Sequence, residues 1–536
     1  MTFMNRNNSS RNIFLPLLLA TTLAAGILLG LWLPRHSDMP HQSGIWSRND
    51  KLNSILNLVE ENYVDTVNRK DLVEAAIPAM LRKLDPHSVY IPAKDMAKAN
   101  EPLQGNFEGI GISFNMVNDT ILVITTITGG PSEKLGLQPG DKIIYVNDSL
   151  VAGKGVKEEN VMKMLKGPRG TSVKLRVLRK RQNELLSFNI VRDKIPIYSV
   201  DVAYMATPEI GYIKINSFAM TTFDEFMKGL TELKQEGMKK LIVDLRGNSG
   251  GIMEAAIQIA NQFLKKDQLI VYTKGRTQPR NEARATGKGE FEDGELVILI
   301  DEGSASASEI LAGAIQDNDR GTIIGRRSFG KGLVQEPVQF TDGSGLRLTI
   351  ARYYTPTGRS IQKPYKDGFD EYYEDLNTRY FRHEFENSDS IHFDKLLKFT
   401  TPGGKVVYGG GGIMPDKFVP YDTSGISNYF LKVRPLIYPF ALSYSDKHRD
   451  ILDKYSNVRE LEKYLDRQYI LNQFTDYALK NSVRNDAEGL KISAALINIQ
   501  LKAYIARNIL DNKGFYPVWE EADTTLKYAI DYLKKN

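Results

Sequence analysis

The order of hydrophobic and polar residues divides the chain into five textures. Residues 13–33, IFLPLLLATTLAAGILLGLWL, contain no charged residue, and an apolar helix of about 20 residues crosses a hydrocarbon core. A polar linker comes next. LNSILNLVEENYV then places Leu52, Ile55, Leu56 and Val59 at the spacing of one helical face. RKDLVEAAIPAMLRKL predicts a second helix, which DPHSVYIP ends with two prolines. Between Phe107 and Asp193 the pattern shortens to β-rich runs separated by turn residues, with one helical pattern at residues 157–167. This predicts a small barrel-like β domain. From Glu209 onward strands and helices alternate, and the near-continuous apolar runs LIVDL and LVILI are those of a sheet buried on both faces of an α/β layer. Residues 363–407 are charged, aromatic and irregular, as expected of an insertion, and residues 420–536 read as several helices of modest amphipathicity. The fold class expected is multidomain α/β: an anchor or signal segment over 1–34, a helical domain over 50–100, the β domain over 101–194, an α/β core over 195–420 and a helical region over 421–536.

Composition narrows the function classes. A chain of 536 residues that is 42% hydrophobic is too long for one core and too apolar for disorder. Its 70 basic and 65 acidic residues leave a net charge of +5, which supplies no electrostatic footprint for nucleic acid. Charge matters at the N-terminus instead. Arg6 and Arg11 precede the uncharged run, so the positive-inside rule keeps the start of the chain in the cytoplasm and exports the residues beyond Leu33. The run exceeds the usual signal-peptide core of roughly 7 to 15 residues, and GLWLPRH is a poor cleavage site. An uncleaved, single-pass anchor in the inner (cytoplasmic) membrane is expected, with the bulk of the chain in the periplasm or otherwise extracytoplasmic; a cleaved signal peptide is the alternative. There is no cysteine, so disulfides, an N-terminal lipid on Cys, thiol catalysis and thiolate metal sites are excluded. None of the six histidines forms a His-x-x-x-His pair, and neither a metal nor an organic cofactor is expected.

The stretch DEGSASASEILAGA, residues 301–314, holds serines at 304, 306 and 308 ahead of a helical pattern. SASE satisfies a capping box, with Ser306 as N-cap and Glu309 three residues on. A cap leaves unexplained the glycine-rich GRRSFGKG further along, residues 325–332, which mimics a phosphate loop. Nucleotide binding fails there because Gly332 occupies the place of the Mg²⁺-binding hydroxyl and LVQEPVQF alternates like a strand where a helix should begin. A nucleophilic serine with Lys331 as base fits better: it needs the lysine neutral near pH 7, hence desolvated, and Phe329 and Leu333 can supply an apolar wall. A helix N-terminus beneath Ser306 favours an oxyanion, so capping and catalysis are compatible. The residues by themselves do not choose among Ser304, Ser306 and Ser308.

GSASASEILAGAIQD, SFGKGLVQ, LTIARYYTPTGRSIQ and GIMPD, joined by LDPHSVYIP and DLRGNSGG, resemble the C-terminal processing (tail-specific) peptidases, a Ser/Lys serine protease family. The resemblance covers about Leu52 to Pro420. It implies a PDZ domain followed by a crotonase-like α/β protease core. By resemblance Ser306 is the nucleophile, Lys331 the general base, Gln335 the residue that orients the lysine, and Glu309 a supporting acid. The oxyanion hole would combine the Ala307 N–H with one from the GNSGG turn, Gly250 or Gly251, where glycine also permits a tight strand-to-helix turn. In the PDZ-like domain, carried by GIGISF and GPSEKLGLQPGDKI, the backbone of Gly109, Ile110, Gly111 and Ile112 would receive a peptide's C-terminal carboxylate while the peptide adds as a strand. Arg246 is expected to pair with a carboxylate, and His87 to be a turn residue. The expected function is endoproteolysis of protein or peptide substrates with exposed apolar C-termini, with a homo-oligomer or an activating partner left open. The alternative is an inactive PDZ scaffold. The segment from Gln362 to Ile413 is long for the family.

Overall fold

A computed structural model describes residues 14–32, 51–180, 182, 184–366, 368–392 and 394–535. The chain forms two compact units, residues 1–76 and 77–536. In the first, helices run Phe14–Trp32 and Lys51–Asn62. The side chains of residues 16–28 are all exposed, and among the described residues no helix is long and apolar enough to cross a membrane. Of the face expected on the second helix, Leu56 is buried whereas Leu52 and Ile55 are exposed. Arg69, opening the helix Arg69–Leu81, donates to Asn57 Oδ1 at 2.6 Å.

The second unit is organised around a six-stranded sheet in the order Val200–Met205, Ile210–Ile215, Lys240–Asp244, Glu295–Ile300, Thr322–Gly325, Lys417–Phe418. Only the first pair is antiparallel. Side chains alternate across the sheet, so a strand covered on both sides has no polar face. Leu241, Val243, Ile298 and Ile300 pack under the helices Thr222–Gln235, Met253–Ala260 and Ala307–Asp317. Ile242, Val297, Leu299 and Ile324 face the other way, against Leu526, Ala529, Ile530 and Leu533 of the final helix Thr524–Lys535. The end of the chain is therefore part of the core's second layer, which its modest amphipathicity did not indicate.

A second sheet centres on Gly345–Tyr354, paired with Val89–Ile91, Leu269–Lys274 and Leu333–Gln339. The expected irregular insertion contains a helix, Phe369–Phe381. Its buried residues are Tyr372 and Arg379, an aromatic and a cation, and hydrophobic periodicity has no means of registering them. In the β domain the strands Ile112–Val117, Thr120–Thr126, Lys142–Val146, Ser172–Leu178 and Leu186–Val191 form one sheet, cored with Val161 and Leu165 of the helix Glu158–Leu165. Its outer residues Leu122 and Ile124 pack on Leu442 of the long helix Asn428–Leu452. The remaining C-terminal helices share one core, in which Phe440, Leu465, Phe474 and Leu501 are buried.

Among the described residues the most deeply buried ion pair joins Arg359 to Asp317 at 2.8 Å, with both side chains at 0% exposure. Asp317 also accepts the Thr357 hydroxyl at 2.6 Å, so TPTGRS is tied to the end of the helix Ala307–Asp317. Asp317→Ala leaves a guanidinium buried without its counter-charge and is expected to cost about 3 to 5 kcal/mol. Urea unfolding of the variant against wild type measures this.

Candidate active site

The strand Glu295–Ile300 ends, and a sharp turn delivers Ser306 to the start of the helix Ala307–Asp317. Ser306 has φ 55° and ψ −113°, a conformation that non-glycine residues rarely hold and that concentrates at functional sites. The predicted capping box is present, and Glu309 accepts the Ser306 backbone N–H at 2.8 Å.

The three serines have different surroundings. Ser304 is fully buried, and its hydroxyl donates to the Leu245 carbonyl at 2.8 Å. Ser308 is fully buried and donates to the Asn248 carbonyl, also at 2.8 Å. Both staple this turn to the segment that follows the strand Lys240–Asp244, Ser308 to the GNSGG turn and Ser304 to the residue right after the strand. Ser306 alone of the three is half-buried.

Gly250, at φ 97°, lies directly against the serine turn: a Cβ there would sit 2.7 Å from Ser306 Cβ and 2.9 Å from the Ala307 nitrogen. Its N–H is already donated to Asn248 Oδ1 at 2.8 Å. The N–H groups of Ala307 and Gly251 have no hydrogen-bond partner among the described residues. Ala307 is buried and Gly251 exposed. Arg246 forms ion pairs with Asp244 at 2.5 Å and with Asp523 at 2.6 Å, tying this turn to the C-terminal region.

Lys331 sits in the loop between the strands Thr322–Gly325 and Leu333–Gln339. No helix comes after it, so the loop is not a phosphate cradle. Glu309 brings lysine and serine together. One carboxylate oxygen accepts the backbone N–H groups of Ser306 and Lys331, at 2.8 and 2.9 Å. The other accepts Ser328 Oγ at 2.5 Å and the Gly330 N–H at 2.8 Å. Burial raises the Glu309 carboxyl to about 7, against the downward pull of those four donors. Tyr353 completes the clamp from the other side, its hydroxyl 2.6 Å from the Lys331 carbonyl and 3.1 Å from that of Ser306.

Burial lowers the Lys331 ammonium below its ordinary value, an effect that the Glu309 charge opposes and Arg347 reinforces. The Lys331 Nζ donates to Gln335 Oε1 at 3.1 Å, and Gln335 in turn donates to the His87 carbonyl. Among the described residues no hydrogen bond links Lys331 Nζ to the Ser306 hydroxyl. The expected apolar wall is divided: Leu333 is buried, while Phe329 meets the Tyr372 ring edge-on at 5.8 Å.

His87 is a turn residue as expected, held by its N–H to Asp85 Oδ1 at 2.8 Å. Its position against the lysine was not foreseen. The imidazole meets the Tyr372 hydroxyl at 2.8 Å, and burial followed by the Lys331 charge lowers it to about 4. Asn248, Tyr353, Ser328 and Arg379 were also missed. Ile413 of GIMPD accepts the Ser328 N–H at 3.0 Å and donates its own N–H to Ser328 Oγ at 2.6 Å, so that motif anchors the lysine loop.

In the β domain Gly109 ends a short strand, Asn106–Gly109, and Ile112 begins the strand Ile112–Val117. The Ile110 carbonyl takes the Ser132 hydroxyl at 2.6 Å, and that of Gly111, at φ 73°, takes the Ile127 N–H at 2.9 Å. Among the described residues the strand Ile112–Val117 pairs only with Thr120–Thr126. Its other edge is open to an added strand.

Family models match this chain as peptidase family S41 over residues 209–370, a PDZ domain over 109–190 and the activating protease CtpB N-terminal domain over 34–95. Residues 429–511 match a family of unknown function. The carboxy-terminal processing protease CtpB of Bacillus subtilis is 36% identical over 319 residues, covering 59% of this chain and 65% of that one. The carboxy-terminal-processing protease of Bartonella bacilliformis is 37% identical over 318 residues, covering 58% and 72%. A solved photosystem II D1 C-terminal processing protease is 27% identical, covering 58% of this chain and 89% of that one at a TM-score of 0.33. The class is thus an S41 peptidase with a PDZ domain. This chain belongs to the carboxy-terminal processing proteases.

The surroundings of the serines make their reactivities separable. A fluorophosphonate probe is expected to label wild type, Ser304→Ala and Ser308→Ala but not Ser306→Ala. Loss of a buried staple should cost the flanking variants about 1 to 3 kcal/mol of stability. Mass spectrometry of the labelled peptide, beside thermal unfolding, reads both effects.

Proposed function

We propose that this protein is a membrane-anchored serine endopeptidase that captures C-terminal tails in its PDZ domain and cleaves with Ser306 and Lys331. The observation that carries it is the shared clamp: Glu309 and Tyr353 each contact the backbones of both residues, so two segments distant in sequence are held as one unit. Neutral Lys331 takes the Ser306 proton as Oγ attacks the scissile carbonyl carbon. The resulting oxyanion is received by the N–H of Ala307 and an N–H of the glycine turn, Gly251 being unbonded and Gly250 committed to Asn248. Collapse breaks the C–N bond, and the leaving amine takes the proton from Lys331. Water, deprotonated in turn by Lys331, attacks the acyl carbon; the bond to Ser306 Oγ breaks and Oγ takes the proton back from Lys331, releasing the carboxylic acid product. Gln335 holds the lysine within reach of the serine turn.

The open edge of the strand Ile112–Val117 and the turn Gly109–Gly111 suit a C-terminal peptide that adds as a strand. The half-buried Ile112, Phe114 and Met116 beside it suit an apolar tail. For the anchor, the support is the exposed apolar surface of residues 16–28, within an uncharged run that the sequence carries from Ile13 to Leu33 behind Arg6 and Arg11. The catalytic part would then be extracytoplasmic. An inactive tail-binding scaffold is the second possibility, favoured by the Lys331 hydrogen bond to Gln335 in place of one to Ser306.

The deciding experiment incubates the full-length protein and its Ser306→Ala variant with unfolded reporters ending in apolar or charged tails. Cleavage by wild type alone, faster for the apolar tail, is expected; intact tail binding without cleavage points to the scaffold. Lys331→Ala is expected to abolish turnover and leave tail affinity unchanged by titration. The active lysine is the neutral one and its pKa is lowered. The rate should therefore rise with pH and reach its plateau below the ordinary lysine value of about 10.4, as a pH–rate profile of kcat/KM would record.

A further inference from the structure

The long segment between RSIQ and GIMPD is not used by the chemistry above, yet its helix Phe369–Phe381 reaches the lysine loop. Arg379, 2% exposed, donates to the Ser328 carbonyl at 2.8 Å and to the Phe329 carbonyl at 3.1 Å. These are the two peptide groups immediately before Gly330 and Lys331. Asp375, one turn earlier, lies 3.0 Å from Arg379 and 2.9 Å from Lys363. The Lys363 ammonium is also 3.9 Å from the centre of the Phe329 ring and 4.2 Å from that of Tyr372. A buried guanidinium that bonds two successive carbonyls fixes the orientation of two peptide planes at once, which an ammonium on a flexible stem does not. The second of those planes carries the Gly330 N–H, which donates to Glu309, and the Lys331 N–H of the next peptide donates to the same carboxyl group.

We propose that Arg379 is a positioning residue for Lys331, acting through the Ser328 and Phe329 carbonyls, so that the insertion helix is a working part of the site. The proposal rests on the assignment of Lys331 as base. Misplacing a reacting group by about 1 Å costs on the order of 100-fold in rate. Loosening the loop also lets water reach Lys331, whose charged neighbours are Glu309 on the serine helix, Arg347 on the strand Gly345–Tyr354, and Asp85 beside His87.

Full-length wild type, Arg379→Met and Arg379→Lys would be compared on the apolar-tailed reporter, with amide hydrogen exchange on the same samples. Arg379→Met is expected to lower kcat about 100-fold with KM and tail affinity unchanged, and to move the rising limb of the pH profile to higher pH. It should speed exchange at residues 328–332 and leave the strand Glu295–Ile300 protected. Arg379→Lys, which keeps the charge beside Asp375, should recover part of kcat and serves also if the Met variant does not fold. Wild-type kcat and wild-type loop exchange in the variants would overturn the proposal, as would faster exchange spread evenly over the core. If wild type cleaves no faster than Ser306→Ala, the proteolytic role fails separately. Loop exchange then decides alone: lost protection supports the hold of Arg379 on the loop, and retained protection overturns it.

Discussion

The Glu309 carboxylate receives four donors from two stretches of chain, the serine turn and the lysine loop, and every other relation in the site depends on that contact. Burying a carboxylate costs several kcal/mol unless its lone pairs are satisfied. Here each oxygen accepts two hydrogen bonds, and the residue also stands in the first turn of a helix, where the macrodipole favours negative charge. All four donors converge on this one side chain, which is buried at 1% exposure. Ser306 and Lys331 are thus fixed relative to each other by their main chains, while the Lys331 head is held separately by Gln335.

Around that contact the fold saturates the backbone of residues 328–332. The Phe329 N–H goes to the Ser304 carbonyl at 2.9 Å, the Gly332 N–H to Gln362 Oε1 at 2.8 Å, and the Gly330 carbonyl takes the Lys363 N–H at 3.0 Å. A glycine-rich loop loses much conformational entropy on ordering, and these bonds, with those from Glu309, Arg379 and Ile413, are what offset it. Their donors and acceptors come from both ends of the α/β core and from the insertion. The place of the lysine therefore depends on contacts from several parts of the core at once.

The elements outside the core are not independent appendages within the second unit. The final helix covers one face of the central sheet, Asp523 pairs with Arg246 in the glycine turn, and Leu442 packs on the outer surface of the PDZ sheet. The PDZ sheet, the turn after the strand Lys240–Asp244 and the central sheet therefore each contact the C-terminal helical region.

Much of this was legible in the chain itself. Apolar runs such as LIVDL and LVILI declared a two-sided sheet because side-chain alternation leaves a doubly covered strand no polar positions. The PDZ order, the serine run and the lysine loop were recognisable because each is a short, local pattern, and the absence of cysteine excluded whole chemistries. Position in space was another matter. Three serines at alternate positions of one short run were separated only by what surrounds each: Ser304 and Ser308 are consumed by carbonyls of Leu245 and Asn248 some sixty residues away, and Ser306 is not. Gly250 and Gly251 look alike until Asn248 takes one N–H. The partners of His87, Tyr353 and Arg379 carry no local signal, since a polar side chain's contacts are set by the fold and not by its periodicity. The sequence by itself determined which segments fold as strands and helices and which chemical groups are available; tertiary structure alone decided which of those groups meet, because burial and hydrogen-bond partnership belong to pairs of residues far apart along the chain.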